Sequence, residues 1–295
     1  MLTAGRRLRT LLEAPEVILQ PAVATPFNAL LAQELGCPAI ALGGYALGAS
    51  EGLSEPLITV GDLERAALAI TRVVTIPLMV DAGAGFGENV HVRGAIRRLE
   101  HAGVAAIHIE DQVYPKRVHY HRGIEQIVSS DVMVRRIQTA CAARSDPDLV
   151  IVARTDAMST DSYDEAIKRA REYRGAGADM IMLFPNTEEE ASRVPKDLPG
   201  VPLIYVNSSG NRLGRGIFGL AQLAAWGWKM DYESTLVTNV AANAVQVALR
   251  SLRETGLARE NHEDMVRSRK MVEDVIGLNT LYQIEADEVG IGGGT

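Results

Sequence analysis

The sequence predicts a (β/α)8 barrel of the TIM type with additional C-terminal helices. Eight short apolar stretches alternate with longer amphipathic stretches between residues 16 and 232, which is the pattern of repeated strand–helix units around a parallel sheet. The apolar stretches show almost no polar alternation, as expected for parallel strands that are buried on both faces. A doubly wound open sheet is the main alternative. Since no low-complexity linker divides the chain, residues 1–255 are predicted as the barrel with an N-terminal helix and residues 256–295 as a helical extension.

The predicted elements begin with an N-terminal helix. The segment "MLTAGRRLRTLLEAPEV" has basic residues but neither a continuous apolar core nor a small-residue cleavage site, so an amphipathic helix is predicted rather than a signal peptide. Strands are predicted at residues 16–23, 38–44, 76–83, 105–111, 149–156, 179–185, 201–207 and 228–232. The stretches between them predict helices, several of which end on glycine, the usual C-cap residue. Residues 260–289 predict one or two further helices, and the final "GIGGGT" is expected to be disordered.

The composition argues against several classes of protein. The chain has 295 residues, of which 47% are hydrophobic and 23% are charged, as in ordinary globular proteins. The net charge of −7 and the scattered lysines and arginines argue against a nucleic-acid partner. Cys37 and Cys141 form no CxxC pair, so no disulfide framework is expected, and a cytoplasmic location fits. No run of about 18 apolar residues occurs, and no membrane span is predicted.

Polar residues stand at the ends of several predicted strands. In a barrel of this type the active site lies at the carboxyl ends of the strands. The residues concerned are Asp81, Glu110, Asp111, Arg154, Asp156 and Asn207. Carboxylates beside a cation at adjoining strand ends indicate a hard metal ion and an anionic substrate. The alternative is structural, because strand-end acids also cap the following helix or pair with a neighbouring arginine.

The segment "YPKRVHYHRG", residues 114–123, is dense in groups that can donate protons. It follows the "IED" of the fourth predicted strand and contains His119, Tyr120 and His121. Histidine can act as an acid at neutral pH, and tyrosine can do so when its pKa is lowered. One interpretation is a proton donor for a reaction at the barrel mouth. The other is a solvated loop without a chemical role.

Five segments match one protein family in order and at nearly gapless spacing. They are "PLMVDAGAGFGEN", "GVAAIHIEDQVYPKR", "IVARTDA", "DEAIKRAREYRGAGADMI" and "PLIYVN". Together they resemble the isocitrate lyase and phosphoenolpyruvate mutase superfamily. Within it they look most like methylisocitrate lyase, 2,3-dimethylmalate lyase and carboxyphosphonoenolpyruvate mutase relatives. The resemblance implies a (β/α)8 barrel, Mg2+ at the strand ends with Mn2+ as a substitute, small 2-oxo- or 2-hydroxycarboxylate substrates, and a homotetramer with a C-terminal helix swapped between subunits.

The resemblance also implies roles for individual residues. Asp81 matches the aspartate that binds Mg2+, Glu110 matches a second metal-site acid, and Asp111 is a further candidate ligand. Arg154 matches the arginine that grips the substrate carboxylate, for which its planar fork is suited. The other positions expected to act in catalysis or substrate binding are Lys116, His119, Tyr120, Gly43, Gly44 and Asn207.

Departures from the family pattern fall on chemically important positions. The second metal-binding aspartate is replaced by Gly83, and the cysteine that protonates the enolate in the lyases is replaced by Val118. Because valine has no proton to give, His119 or Tyr120 is the expected substitute. A family glutamate after the sixth strand is Phe184, which predicts a more apolar pocket, and Glu55 is a possible substitute for another family acid.

Three functions remain open at this point. The first is a Mg2+-dependent carbon–carbon lyase that cleaves a small branched 2-hydroxy di- or tricarboxylate into a 2-oxo acid and a carboxylic acid. The second is a decarboxylase or hydrolase of a 2-oxo acid, or a phosphonomutase, within the same superfamily. The third is a catalytically degenerate relative that only binds a carboxylate, which the replacements at Gly83, Val118 and Phe184 favour.

Overall fold

The computed structural model describes residues 2–122, 126–257 and 260–289, without the side chains of His121 and Val289. Within these residues eight strands alternate with helices. The strands are β1 (Ile18–Pro21), β2 (Ile40–Leu42), β3 (Leu78–Asp81), β4 (Ala106–Glu110), β5 (Val150–Arg154), β6 (Met180–Leu183), β7 (Leu203–Asn207) and β8 (Met230–Glu233). Each lies within its predicted range except β8, which extends one residue further. The predicted ranges were longer because apolar residues continue into the flanking turns.

The helices lie between and beyond the strands. The α-helices are α1 (Ala4–Glu13), α2 (Pro26–Glu34), α3 (Gly44–Glu51), α4 (Val60–Thr71), α5 (Asn89–His101), α6 (Ser130–Ala143), α7 (Ala157–Thr160), α8 (Tyr163–Gly175), α9 (Glu188–Asp197), α10 (Leu220–Trp226), α11 (Leu236–Thr255), α12 (His262–Val275) and α13 (Leu278–Val289). Short 3-10 helices cover Glu55–Leu57 and Val118–Arg122. Side-chain caps start several helices: Thr25 Oγ1 accepts from Asn28 N at the start of α2, and Thr59 and Asp62 form a capping box on α4.

The strands form one parallel barrel. Their order around the sheet is β1-β8-β7-β6-β5-β4-β3-β2. The first and last members of this order meet in a parallel bridge between Ala22 and Ala41, where Val23 N donates to Ala41 O at 2.8 Å. The doubly wound alternative is therefore wrong, and the predicted (β/α)8 barrel is confirmed.

Successive residues of each strand face opposite sides of the barrel wall, because the side-chain period of a strand is two. The inward set forms one buried cluster that includes Met79, Val152, Met180, Ile204 and Met230. The outward set packs against the helices and includes Val80, Ile107, Ile151, Ile181 and Leu203. The same alternation decides which polar strand-end residues reach the barrel mouth.

Helix α1 covers the amino ends of the strands. Leu8 is buried in the inward cluster. Arg9 Nη2 donates to Asp179 Oδ1 at 2.9 Å, and Arg6 Nε donates to Asp148 Oδ2 at 3.0 Å. Since Asp148 and Asp179 precede β5 and β6, these contacts fix α1 at the end of the barrel opposite the mouth, which leaves the carboxyl ends of the strands accessible.

The C-terminal helices expose much apolar surface. In α11, Val240, Val245 and Leu249 are exposed. Helix α12 contacts α2 of the same barrel, yet Met265 and Met271 remain exposed. The division at residue 255 stays a prediction, and residues 290–295 lie outside the described residues. Among the described helices, none is both long and apolar enough to cross a membrane.

Candidate active site

A cavity of about 690 Å3 opens at the carboxyl ends of the strands. Its wall combines strand ends with the loops that follow them. Asp81, Arg154 and Tyr232 line it from the inward faces of their strands, and Phe184 lines it from the position directly after β6. The position agrees with the usual location of active sites in this fold.

Asp81 is held by several donors at the end of β3. Its Oδ1 accepts from Gly83 N at 2.8 Å and lies 2.7 Å from His108 Nε2, while Gly44 N donates to Oδ2 at 3.4 Å. Burial alone would raise the pKa of Asp81, but His108, Lys116 and Arg154 lower it well below its usual range. Asp81 is therefore a carboxylate at neutral pH, with Oδ2 the less tightly bonded oxygen.

Lys116 joins two buried acids beneath the mouth. Its Nζ lies 3.1 Å from Glu110 Oε1 and also pairs with Glu55 Oε1. Burial opposes its charge, but the two carboxylates raise the pKa of Lys116 well above its usual value. Burial raises the pKa of Glu110, although Lys116 and Arg154 act in the opposite direction. Lys116 is thus a fixed ammonium group rather than a base.

Arg154 is the centre of the polar network. Its Nε and Nη2 donate to the two oxygens of Asp156 at 2.9 and 3.0 Å, and its Nη1 lies 3.0 Å from Glu110 Oε2. Its Nη2 also donates to the hydroxyl of Tyr120 at 3.3 Å. Four of its contacts are therefore with the protein, and the bidentate face expected for a substrate carboxylate is engaged by Asp156.

The histidine-rich loop contributes one residue to the mouth. Val118 is 63% exposed and His119 is also exposed, whereas Tyr120 lines the cavity. Lys116 Nζ lies 4.3 Å from the centre of the Tyr120 ring. Burial raises the pKa of Tyr120 to about 12, although Arg154 and Lys116 oppose the rise. The structure therefore brings Tyr120, but not His119, to Lys116 and Arg154 at the cavity. The side chain of His121 lies outside the described residues.

Two predicted site residues point away from the mouth. Asp111 follows Glu110 and consequently faces the helices, where it accepts from Thr155 Oγ1 at 2.7 Å and Tyr173 OH at 2.8 Å. Its other contacts are with Asp156 N and Arg169 Nη1. The interpretation of Asp111 as a metal ligand is not supported, because its oxygens serve bonds that join β4 to α8.

Asn207 likewise faces outward, at the end of β7. Its Nδ2 donates to Asp231 Oδ1 at 2.8 Å and Phe218 O at 2.9 Å, and its Oδ1 accepts from Phe218 N at 3.1 Å. These bonds hold the loop between β7 and α10. The expected contact of Asn207 with substrate is therefore not supported by its position.

Gly43 and Gly44 line the cavity as expected. An added Cβ at Gly43 would lie 2.5 Å from the Tyr232 hydroxyl, and one at Gly44 would lie 2.7 Å from Glu55 Cγ. A larger residue at either position would have to displace the neighbouring side chain, which glycine avoids. The Gly44 amide faces Asp81 in this arrangement.

The structure adds residues that sequence reasoning missed. His108 supports Asp81, and Tyr232 and Arg215 line the cavity. Asp156, which the sequence already indicated as a strand-end acid, orients Arg154. Strand alternation could have indicated His108 and Tyr232, since each stands two residues from another inward position. No periodic signal could have indicated Arg215, which lies in the irregular loop after β7.

The donor set at the mouth fits a hard divalent cation with few protein ligands. The two Glu110 oxygens are buried and, within the described residues, receive no hydrogen bond of good geometry despite the nearby Lys116 and Arg154. A small cavity of about 40 Å3 is lined by Asp81, Gly83 and Glu55. Because no group of three or more acids or histidines converges among the described residues, water and substrate oxygens would complete the coordination of Mg2+.

Comparison with known proteins places this geometry in a family. The family model described as phosphoenolpyruvate phosphomutase matches residues 8–253. A 2,3-dimethylmalate lyase from Eubacterium barkeri is 32% identical over 288 residues, covering 96% of this chain and 98% of the relative. A 2-methylisocitrate lyase from Aeropyrum pernix is 34% identical over 285 residues, covering 96% of this chain and 90% of the relative.

Solved structures show the same barrel. Oxaloacetate acetylhydrolase in complex with 3,3-difluorooxalacetate has a TM-score of 0.89 at 26% identity and covers 99% of both chains. Phosphonopyruvate hydrolase in complex with oxalate and Mg2+ has a TM-score of 0.85 at 28% identity and covers 97% of this chain and 99% of the other.

The barrel and its charged mouth define an enzyme of the TIM-barrel class. The chain belongs to the phosphoenolpyruvate mutase and isocitrate lyase superfamily, as its match to the family model and its full-length relatives show. The predicted superfamily is thereby confirmed, and so is the prediction of a carbon–carbon lyase at the level of enzyme class.

Proposed function

We propose that this protein is a Mg2+-dependent lyase that cleaves a carbon–carbon bond of a small branched 2-hydroxy di- or tricarboxylate. The products would be a 2-oxo acid and a carboxylic acid. The observation that carries the proposal is the position of Tyr120, whose hydroxyl enters the mouth between Lys116 and Arg154. A proton donor is therefore present although residue 118 is valine. The lyase names of the full-length relatives support the same reaction type.

The reaction requires transfer of the 2-hydroxyl proton to water in the open cavity, cleavage of the carbon–carbon bond and protonation of the resulting enolate carbon. The electron pair of the broken bond stays on that carbon, and the Tyr120 hydroxyl would supply the proton it takes up. The tyrosinate left behind would lie beside the Lys116 ammonium and Arg154 guanidinium groups, which stabilise negative charge. Burial raises the pKa of Tyr120 to about 12, so it holds its proton at neutral pH instead of having the lowered pKa considered from the sequence. The enolate carbon is a far stronger base than a phenolate and can still take that proton.

Asp81 and Glu110 would hold Mg2+, the first directly and the second through water, as the donor set described above allows. When bound, Mg2+ would polarise the oxygens of the half that becomes the 2-oxo acid. A Mg2+ complex among the related structures supports this choice of metal. Small carboxylates are the proposed ligands because a bound Mg2+ would take their oxygens as ligands.

The test is an assay of 2-oxo acid formation from a panel of branched 2-hydroxy di- and tricarboxylates with Mg2+ or EDTA. We expect turnover that EDTA abolishes and that Asp81→Ala reduces below detection, because the variant lacks the proposed direct metal ligand. Asp164→Ala, which removes an exposed carboxylate on α8, is the matched control and should keep wild-type turnover. Full activity in Asp81→Ala or in EDTA would contradict the proposed metal site.

A hydrolase or decarboxylase of a 2-oxo acid is the second candidate. The observation in its favour is the valine at position 118, which leaves the usual lyase acid position without a proton. The panel therefore includes oxaloacetate and other 2-oxo acids, with mass analysis of the products. Consumption of 2-oxo acids without cleavage of any 2-hydroxy acid would favour this candidate. Binding without turnover of either class would favour a carboxylate-binding protein.

A further inference from the structure

Arg215 is a buried cation at the mouth that the reaction above does not use. It is 9% exposed, belongs to the loop between β7 and α10, and lines the large cavity. Its Nη1 donates to Val206 O and its Nη2 to Ser208 Oγ, each at 3.3 Å. Because a guanidinium group has five N–H donors, these two bonds fix its orientation and leave other donors on the cavity side.

The charge balance of the mouth leaves Arg215 without an acid. Lys116 is paired with Glu55 and Glu110, and Arg154 with Asp156 and Glu110. Within the described part of the chain, no carboxylate lies within ion-pair distance of Arg215. Burial lowers the pKa of Arg215, which expresses the unfavourable environment of an uncompensated charge. An anion in the cavity would offset that cost.

Phe184 links the two arginines of the cavity. The Arg154 guanidinium carbon lies 4.4 Å from the centre of its ring, and that of Arg215 lies 4.8 Å from it. The ring of Phe184 therefore supports two cations, and the expectation that it makes the pocket more apolar stays a prediction. This wall suits a planar anion, because an arginine held on an aromatic ring presents its N–H edge.

We propose that Arg215 binds a carboxylate of the substrate other than the one beside the 2-hydroxyl group, at the end of the molecule remote from that hydroxyl. The inference rests on the proposed function in that it takes the same cavity as the substrate site. It adds the residue that selects the substrate: acids with a remote carboxylate bind, and acids of equal length with an apolar end are rejected. Arg215 would act on affinity and specificity rather than on the chemical step.

The experiment compares two probes, 2-oxoglutarate and 2-oxohexanoate, which differ in the remote carboxylate. Their affinities are measured by calorimetry in the presence of Mg2+ for the wild type, Arg215→Met and Lys168→Met. Lys168 is an exposed cation on α8 and controls for the lost charge. Arg215→Met should bind 2-oxoglutarate more weakly by on the order of 10- to 100-fold, because it loses hydrogen bonds between two charged groups. Affinity for 2-oxohexanoate should change less than about twofold in any variant.

Arg215→Gln serves if the methionine variant does not fold, because glutamine keeps a donor for the loop bonds and removes the charge. An equal affinity of 2-oxoglutarate in the wild type and the neutral variants would overturn the proposal, as would a parallel loss for both probes. Neither result depends on turnover. Pyruvate, which has no remote carboxylate, separates the two hypotheses: its failure to bind the wild type with Mg2+ would count against the proposed function, whereas its unchanged binding in Arg215→Met is expected here.

Discussion

The Tyr120 hydroxyl accepts a hydrogen bond from Arg154 Nη2 at 3.3 Å, so a residue of the histidine-rich loop reaches the end of β5. Its neighbours Val118 and His119 face solvent in the same short helix. The contact divides these three residues into one directed at the cavity and two that are not. It also places a phenol beside the two cations, Lys116 and Arg154, that would stabilise its anion.

Replacing the Tyr120 hydroxyl should remove the proposed acid. We expect Tyr120→Phe to lower kcat by on the order of 10²–10⁴, the usual contribution of a general acid, with KM nearly unchanged because the ring remains. His119→Ala is the control and should retain wild-type kcat, since that side chain is exposed. Steady-state kinetics with the best substrate of the panel measures kcat and KM for the wild type and both variants. Equal kcat values for wild type and Tyr120→Phe would exclude Tyr120 as the donor.

A carboxylate at position 83 should strengthen metal binding. Gly83 has φ of +50°, a conformation that aspartate and asparagine tolerate better than other residues, and a Cβ added there would lie 4.0 Å from Glu110 Oε1. We expect Gly83→Asp to tighten Mg2+ binding about tenfold, because it adds a hard oxygen ligand beside Asp81. Calorimetric titration with Mg2+ measures this. Gly83→Asn matches the shape without the charge, and equal affinities of the two variants would contradict the expectation.

The fold was predictable because most barrel strands are apolar runs, and burial on both faces leaves few other arrangements. Asp81, Glu110 and Arg154 were predictable as strand-end residues, and the structure places all three around one mouth. Asp111 could have been excluded from the sequence, since two adjacent strand residues cannot both face inward. Asn207 could not be excluded in this way, because the register at the end of β7 depends on bonds to Asp231 and Phe218 that are distant in sequence.

Stability should fall as pH rises through the titration of Asp231. Burial raises the pKa of this acid from 3.8 to about 6, with Glu233 adding to the rise and Asn207 opposing it. Between those values the folded state binds a proton more tightly than the unfolded state, so its free energy of unfolding decreases with pH until about 6. Asp231→Asn removes this dependence and still accepts the bond from Asn207. From pH 4 to 7 it should gain roughly 2–3 kcal/mol relative to wild type, measured by urea unfolding. If the free energies of unfolding of the wild type and Asp231→Asn changed in parallel with pH, Asp231 would not have a raised pKa in the folded state.

Removal of the C-terminal helices should change the oligomeric state. Met265, Met271 and Ile276 are 44, 42 and 53% exposed in the single chain, and α11 exposes further apolar residues. A homotetramer that buries this surface is our prediction, because exposed apolar faces of this kind pack on neighbouring subunits. Deleting residues 260–295 should lower the number of subunits per particle, calculated from the light-scattering mass and the mass of the shortened chain, whereas deleting only residues 290–295 should not. An unchanged number of subunits in the longer deletion would rule out a role of these helices in assembly.

Placing a cysteine at position 118 is a second test of Tyr120 as the proton donor. Val118 is 63% exposed, so a thiol there would face solvent while Tyr120 occupies the mouth. We therefore expect Val118→Cys to keep kcat within about threefold of wild type, because a donor is already present. In the Tyr120→Phe background it should also fail to restore activity, and its thiol should react with iodoacetamide as readily as an exposed cysteine. The measurements are kcat for the two single variants and the double variant, and the alkylation rate of the thiol at position 118. They distinguish a wild type in which Tyr120 is the proton donor from one that lacks an efficient acid. A rise of about tenfold or more in Val118→Cys alone would mean that the wild type lacks an efficient acid, and Tyr120 would then be a binding residue of the mouth rather than the proton donor.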